Sequence, residues 1–393
     1  MGTNHQSRPR RLLLCLDGVP HRLIEEAKSR GLFDSFGAPT RLLSPFPTMT
    51  NVALSAMLGA SPPPGYESLY FDRKAKELRG GIGKYLGRRT PDKVPSSYMD
   101  DLDYQEPLPF EFLIYVAPEK IWRADMQRFR ERFRAAPQNR DYFAFLKATD
   151  GLLHAQGPAR LAIALESLDK ILREIQSYCG NETEIVMFSD HGMNLDENRR
   201  IPLASTLRER GFQVAIPAFG LCSYAALYCH DDNQIPEIAR TSAEVNGVDF
   251  AVYKDGADVV VESERGQARI EYWPDTESYR YVTVTGDPLE LSKYQNQVAT
   301  DAVWFERTAG HRYPNALANV YKSLFTDRVK HTADILLSMK DGYYYGWTPF
   351  GRFVSLKATH GNALQPSSNA FLMSTHRQLP AYVRADDAKA LLR

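Results

Sequence analysis

Three short apolar runs in this chain each stop at an acidic turn, and that pattern admits few folds. Arg11 to Leu16 reads RLLLCL before Asp17-Gly18, Tyr142 to Leu146 precedes Lys147-Ala148-Thr149-Asp150, and Glu184 to Phe188 precedes Ser189-Asp190-His191-Gly192. Apolar runs of this length without polar alternation suit strands buried on both faces. Between them lie helical signatures. After Gly157-Pro158, residues Leu161, Ala164, Leu165, Leu168, Leu172 and Ile175 recur at steps of three and four, which gives one apolar face to lay on a sheet. A further helix is expected to begin near Thr50 and carry Ala53, Leu54, Met57 and Leu58, and another to cover the charged region from Ile121 to Phe133. Strands alternating with helices predict an α/β fold around a central, mostly parallel sheet. The carboxyl ends of such strands border the crevice where open α/β sheets bind ligands, so the three aspartates are expected to converge there.

A fourth apolar run, Ala333 to Leu337, is expected to return to that sheet. From about Leu195 to Ala299 the rhythm changes. Short strand-like runs at Ser223 to Cys229, Phe250 to Lys254, Asp258 to Glu262 and Ala268 to Trp273 surround a helical stretch at Ile235 to Glu244. This predicts an α+β cap of residues 195–299 inserted into a core of 1–194 and 300–393. The stretch from Ser61 to Pro109, with SPPPG, RGG and KVPSS, reads as an irregular elaboration on the substrate side rather than a core layer.

Charge narrows the function classes. The 48 basic and 48 acidic side chains cancel, without a long block of one sign, which argues against a nucleic-acid polymer as partner. The most apolar stretch, Val214 to Cys229, is interrupted by Pro217, Gly220 and Ser223 and is too short for a comfortable membrane span. Asp17 ends the N-terminal apolar run before a signal-peptide cleavage region can form. Four cysteines without CxxC spacing suit a reducing compartment, and a cytoplasmic location is expected.

Five motifs carry the chemistry: LDG at Asp17, PTMTN at Thr50, KATDGLLH with Asp150 and His154, SDHGM with Asp190 and His191, and ATHGN with His360. Any one of them has an ordinary structural reading, since an Asp-Gly turn and a threonine at a helix start are common. The spacing of Asp150 and His154 puts both on one helix face, which suits one metal ion. Asp190 and His191 are adjacent, and whether they serve one ion or two is left open by their spacing. Aspartate and histidine ligands without cysteine are compatible with Zn²⁺ and with harder ions such as Mn²⁺.

In this order the motifs resemble the alkaline phosphatase superfamily, particularly its nucleotide pyrophosphatase and phosphodiesterase branch. The resemblance implies an alkaline phosphatase-like sandwich and a site of two divalent ions, which in two-metal hydrolases lie about 3.5–4 Å apart. By resemblance, Asp17, Thr50, Asp190 and His191 serve one ion and Asp150, His154 and His360 the other, with Thr50 as the nucleophile that becomes phosphorylated. The implied reaction is hydrolysis of a small-molecule phosphate ester, a phosphodiester or nucleotide pyrophosphate before a monoester. Phosphomonoesterase, phosphonate hydrolase and phosphomutase activities share the scaffold, and a non-catalytic, metal-stabilised binding protein is the alternative of a different class. After Thr50 the chain reads PGYESLYFD from Pro64 to Asp72, without the histidine and asparagine usual in that branch. Asn51 is therefore the candidate amide for binding substrate, beside an equally ordinary role at a helix start.

Overall fold

A computed structural model describes residues 10–81, 97–114, 116–180, 182–217, 220–346 and 356–392. Two large sheets organise the chain. The first has seven strands in the spatial order Tyr382–Arg384, Thr40–Leu43, Asn369–Ser374, Glu184–Phe188, Arg11–Leu16, Tyr142–Leu146 and Tyr104–Gln105. All are parallel except Asn369–Ser374, which runs against both its neighbours. The three strands with acidic ends are adjacent, with Arg11–Leu16 in the middle, pairing Leu16 with Leu146 and Cys15 with Phe188.

Alternation along these strands feeds two cores, as the two-residue period of a strand requires. Leu12, Leu14, Leu16, Ala144, Leu146, Ile185 and Met187 pack with the helices His21–Ser29, Pro118–Ala135 and Pro158–Cys179. Leu13, Cys15, Phe143, Phe145, Val186 and Phe188 face the other way, onto Ala53, Leu54, Met57 and Leu58 of the helix Thr50–Leu58. All six apolar positions read from the sequence of Pro158–Cys179 are buried. The mostly parallel sheet between helices is thus the expected fold class.

The second sheet is antiparallel and has eight strands: Val298–Thr300, Ser278–Gly286, Gly266–Trp273, Asp258–Ser263, Val248–Asp255, Ile335–Met339, Tyr224–Cys229 and Val214–Ala215. Here the sequence expectation needs correction. The strand anticipated at Ala333 to Leu337 runs Ile335–Met339 and does not rejoin the parallel sheet; it lies in the middle of the antiparallel one, between Val248–Asp255 and Tyr224–Cys229. A run buried on both faces looks the same in either sheet, so its composition cannot name its partners.

The stretch from Ser61 to Pro109 also holds more order than expected. Leu69–Asp72 and Glu77–Gly80 form a hairpin, and Tyr104–Gln105 is an edge strand of the parallel sheet. Residues 82–96, with most of the KVPSS motif, lie outside the described residues. Among the described residues no helix is long and apolar enough to cross a membrane.

Candidate active site

The carboxyl ends of the three central strands place Asp17, Asp150 and Asp190 at one end of the sheet. Asp17 directly follows its strand, and its amide donates to the Leu146 carbonyl (3.1 Å). Asp150 lies in the first turn of the helix Ala148–Gln156, so His154 comes to the same face one turn on, with Nε2 3.2 Å from Asp150 Oδ1. Gly18, at φ +69°, crosses this junction where any side chain would collide: a Cβ there would lie 2.9 Å from Asp150 Oδ1. Its amide donates to Asp190 Oδ1 (3.1 Å).

Thr50 opens a nine-residue helix after Met49, which keeps an extended backbone. Its hydroxyl lies 3.4 Å from Asp17 Oδ1 and 3.3 Å from His191 Nε2, and Thr50 is half-buried where the acidic residues around it are closed off from solvent. His191 Nε2 also lies 3.5 Å from Asp17 Oδ1 and 3.4 Å from Asp190 Oδ2. His360, from the far end of the chain, brings Nε2 to 3.6 Å from Asp150 Oδ1 and stacks on His191 with ring centroids 3.9 Å apart. All seven residues singled out in the sequence therefore meet. Asn51 follows Thr50 in the helix, and its Oδ1 accepts from the Tyr98 hydroxyl (2.9 Å), so its amide nitrogen keeps its donors for another partner.

The three imidazoles are oriented alike. Nδ1 of His154 faces the Ala358 carbonyl (2.8 Å), that of His191 the Gly192 carbonyl (2.9 Å), and that of His360 the Thr48 carbonyl (2.8 Å). A carbonyl only accepts, so each Nδ1 carries the proton and each Nε2 turns a lone pair towards the carboxylates, as in histidines that bind metal. Lone pairs facing carboxylates repel unless a cation or a proton lies between them. Asp150 Oδ1 and Asp190 Oδ2 are buried without a hydrogen-bond partner, as oxygens awaiting a cation would be. The ligand atoms form two groups, each within 4.8 Å: Asp17, Asp190 and His191, and Asp150, His191 and His360.

Electrostatics sets Asp150 and His154 apart from the rest. Burial, followed by the neighbouring Asp190 and Asp150 charges, holds the Asp17 carboxyl well above the usual range, and burial pushes Asp190 up to about 6. Burial lowers His191 to about 4 and, with the adjacent His191, His360 to about 3. Asp150 moves the other way: burial would raise it, but the facing imidazoles, His154 foremost, outweigh that and hold it low. His154 is correspondingly raised, its burial outweighed by Asp150.

Sequence reasoning missed the side chains that hold these loops. Thr149 donates to the Asp17 carbonyl (2.7 Å), Ser189 to the Val19 carbonyl (2.7 Å), and Ser44 to the Asp190 carbonyl. A hydroxyl residue directly before each of Asp150 and Asp190 was the available signal. Thr48, fully buried, accepts from the Gly361 amide (2.8 Å) and donates to the Asn362 carbonyl (3.2 Å), which makes it a loop tie rather than a competitor to Thr50. Arg199 and Arg200 are exposed and form a short ladder with Tyr343–Tyr344. In the PGYESLYFD segment, Glu67 accepts from the Gly220 amide (2.7 Å) and the Tyr224 hydroxyl (2.9 Å), tying that loop to the antiparallel sheet.

Strand ends, two helix starts and the His360 loop bring acids and imidazoles to one crevice, and the chain is a metal-dependent hydrolase of the alkaline phosphatase superfamily. The model of the type I phosphodiesterase / nucleotide pyrophosphatase family matches residues 69–348, and the chain belongs to that family of phosphoric ester hydrolases. Asp150, His154, Asp190 and His191 lie within the matched span; Asp17, Thr50 and His360 lie outside it. No curated protein matches the sequence. Among solved structures, murine ectonucleotide pyrophosphatase / phosphodiesterase 5 is similar at 12% identity and TM-score 0.54, covering 98% of this chain and 94% of that one. Phosphonoacetate hydrolase from Sinorhizobium meliloti 1021, in complex with phosphonoformate, is similar at 14% identity and TM-score 0.55, covering 98% and 95%. An inactive threonine-to-alanine form of the murine protein in complex with AMP matches at 12% identity and TM-score 0.51, covering 98% and 94%.

Proposed function

We propose that the protein hydrolyses a small-molecule phosphodiester or nucleotide pyrophosphate through a phosphorylated Thr50. One observation carries this reading: the half-buried Thr50 hydroxyl stands within 3.4 Å of Asp17 and His191, at the edge of six converging carboxylates and imidazoles. The orphaned oxygens and inward-facing Nε2 atoms fit two divalent ions. Asp17, Thr50, Asp190 and His191 would hold one, and Asp150, His154 and His360 the other. Zn²⁺ suits this donor set, and Mn²⁺ is compatible with it. When bound, the ions supply Lewis-acid stabilisation for the attacking and the departing oxygens, on opposite sides of phosphorus.

The chain's own residues do the rest. The Thr50 oxygen attacks phosphorus, its proton passes through solvent to the leaving oxygen, and the bond from phosphorus to that oxygen breaks with its electron pair. Water then attacks the phospho-threonine from the vacated side, the bond from phosphorus to Oγ1 breaks, and Thr50 regains its proton. The first turn of the Thr50–Leu58 helix offers backbone N–H groups to the phosphoryl oxygens. The Asn51 amide, with its carbonyl engaged by Tyr98, supports a donor role towards the same oxygens. In this reading residues 195–299, joined by the strand Ile335–Met339, form a cap on a core built from 1–194 and the remainder of 300–393. Four free cysteines support a cytoplasmic location.

Fold likeness to phosphonoacetate hydrolase favours phosphonate hydrolysis as a second reading. Both are tested by stripping the purified protein, reloading it with Zn²⁺, Mn²⁺ or Mg²⁺, and assaying bis(p-nitrophenyl) phosphate, p-nitrophenyl phosphate, a dinucleotide pyrophosphate and phosphonoacetate. The expected result is metal-dependent turnover, with the diester or pyrophosphate ahead of the monoester. Dominant phosphonoacetate cleavage would select the second reading, and bound metal without turnover of any ester would contradict both.

A further inference from the structure

The loop that carries His360 is tied to an element that supplies none of the seven site residues. Asn362, two residues on, is fully buried and uses every polar group it has. Its side-chain amide nitrogen donates to the Met339 carbonyl and to Asp341 Oδ1, both at 3.0 Å, and its Oδ1 accepts from the Leu364 amide (3.3 Å). Its backbone amide donates to the Ser223 hydroxyl (3.0 Å), and its backbone carbonyl accepts from the Thr48 hydroxyl (3.2 Å). Met339 ends an interior strand of the antiparallel sheet, Ser223 directly precedes the neighbouring strand, and Thr48 stands two residues before Thr50.

The same junction holds His360 on both sides. The Ser223 amide donates to the His360 carbonyl (2.7 Å), and Nδ1 of the imidazole donates to the Thr48 carbonyl (2.8 Å). Gly361, at φ +125°, lets the loop pass Tyr224, whose ring would lie 2.9 Å from a Cβ at that position. The His360 loop, the nucleophile loop and the antiparallel sheet therefore share one hydrogen-bonded junction with Asn362 at its centre.

We propose that Asn362, anchored by Asp341 at the end of the Ile335–Met339 strand, is a positioning residue that sets His360 and the Thr48–Thr50 loop in register with each other. The antiparallel sheet is then part of the frame of the active site, not only a cover over it. This inference rests on the reading of His360 as a metal ligand. Outer partners that orient a ligand typically change metal affinity 10- to 100-fold when removed.

The test compares Asn362→Ala, Asp341→Ala and Asp341→Asn, with His360→Ala as control, in stripped protein titrated with Zn²⁺ against a chromophoric chelator. Asn362→Ala and Asp341→Ala should weaken one of two ion equivalents by about tenfold or more and leave the other at its wild-type affinity. Once metal-loaded, they should lower kcat for bis(p-nitrophenyl) phosphate with little change in KM. Asp341→Asn keeps the acceptor oxygen and should restore both properties. Should Asn362→Ala fail to fold, the Asp341 pair decides alone, since Asp341 sits in a half-exposed turn. Wild-type binding of both equivalents in Asp341→Ala, or equal impairment in Asp341→Asn and Asp341→Ala, overturns the proposal. If His360→Ala itself keeps both equivalents, the ligand assignment fails and takes the positioning role with it.

Discussion

The two ends of the active site solve the same problem with opposite charge balances. Around Thr50, two buried carboxylates, Asp17 and Asp190, share a single neutral imidazole, His191; around Asp150, one carboxylate faces His154 and His360. Without a cation the first end is frustrated, and its carboxyls are held above their usual range. The second end compensates itself, because Asp150 raises the His154 imidazole against its burial and the facing imidazoles hold Asp150 low. The difference teaches which end depends more on its ion. The proposed nucleophile, Thr50, sits at the end that needs a cation or protons to neutralise it, while the other end is balanced by its own imidazoles.

The largest expected effect belongs to the nucleophile. Thr50→Ala should lower turnover of bis(p-nitrophenyl) phosphate by at least about 10³-fold, while Thr50→Ser retains measurable activity. The same variant sharpens the comparison, because the ion held by Asp150, His154 and His360 should keep its affinity in a chelator titration. Loss of both ions would show that the ends are not independent.

A smaller effect, of opposite sign at the two ends, is expected in the stability of the metal-free protein. Asp190 has a folded pKa of about 6, above the ordinary 3.8, so its ionised form costs stability above pH 6 and that cost disappears below about pH 3.8. Asp190→Asn keeps the acceptor for the Gly18 amide and should stabilise the metal-free fold by on the order of 2 kcal/mol at pH 8, with no gain at pH 4. Asp150 has a depressed folded pKa, so its contribution is present above the ordinary carboxylate range and is lost as pH falls through the folded value. Asp150→Asn should therefore destabilise the metal-free protein at pH 8. Denaturant melts of the two variants with shifts of the same sign would break the comparison.

The smallest effect concerns protons. At pH 6 Asp190 is about half protonated and the Asp17 carboxyl is held well above its ordinary range by burial, while His191 and His360 are already neutral. Saturation with Zn²⁺ at pH 6 should release about half a proton or more, with Asp190 as a main source, and the Asp190 share should fall on going to pH 8. Calorimetry in buffers of different ionisation enthalpy reads this directly. Release that survives intact in Asp17→Asn/Asp190→Asn would assign the protons to the other end.

Much of this site was legible in the sequence because its ligands sit where local patterns end. Asp17, Asp150 and Asp190 follow apolar runs, and a parallel sheet carries such strand ends to one crevice. His360 was reached through the order of the motifs, since no local pattern ties it to Asp150. The strands Thr40–Leu43 and Tyr382–Arg384 went unread because four and three residues give too little pattern, and Asn369–Ser374, as long as Arg11–Leu16, went unread because no acidic turn follows it. Ile335–Met339 was read as a strand and assigned to the wrong sheet, because pairing is a long-range choice. The supports of the imidazoles were hidden for another reason. They are the backbone carbonyls of Thr48, Gly192 and Ala358, a group every residue owns.

Whether the Thr50 oxygen attacks phosphorus is decided by a rapid acid quench during turnover of bis(p-nitrophenyl) phosphate, followed by peptide mass spectrometry. The expected result is a phosphorylated peptide with the modification on Thr50, formed and consumed at rates compatible with turnover and absent from Thr50→Ala. A kinetically competent adduct on Thr48, whose hydroxyl is committed to Gly361 and Asn362, or undiminished turnover in metal-loaded Thr50→Ala, would contradict it.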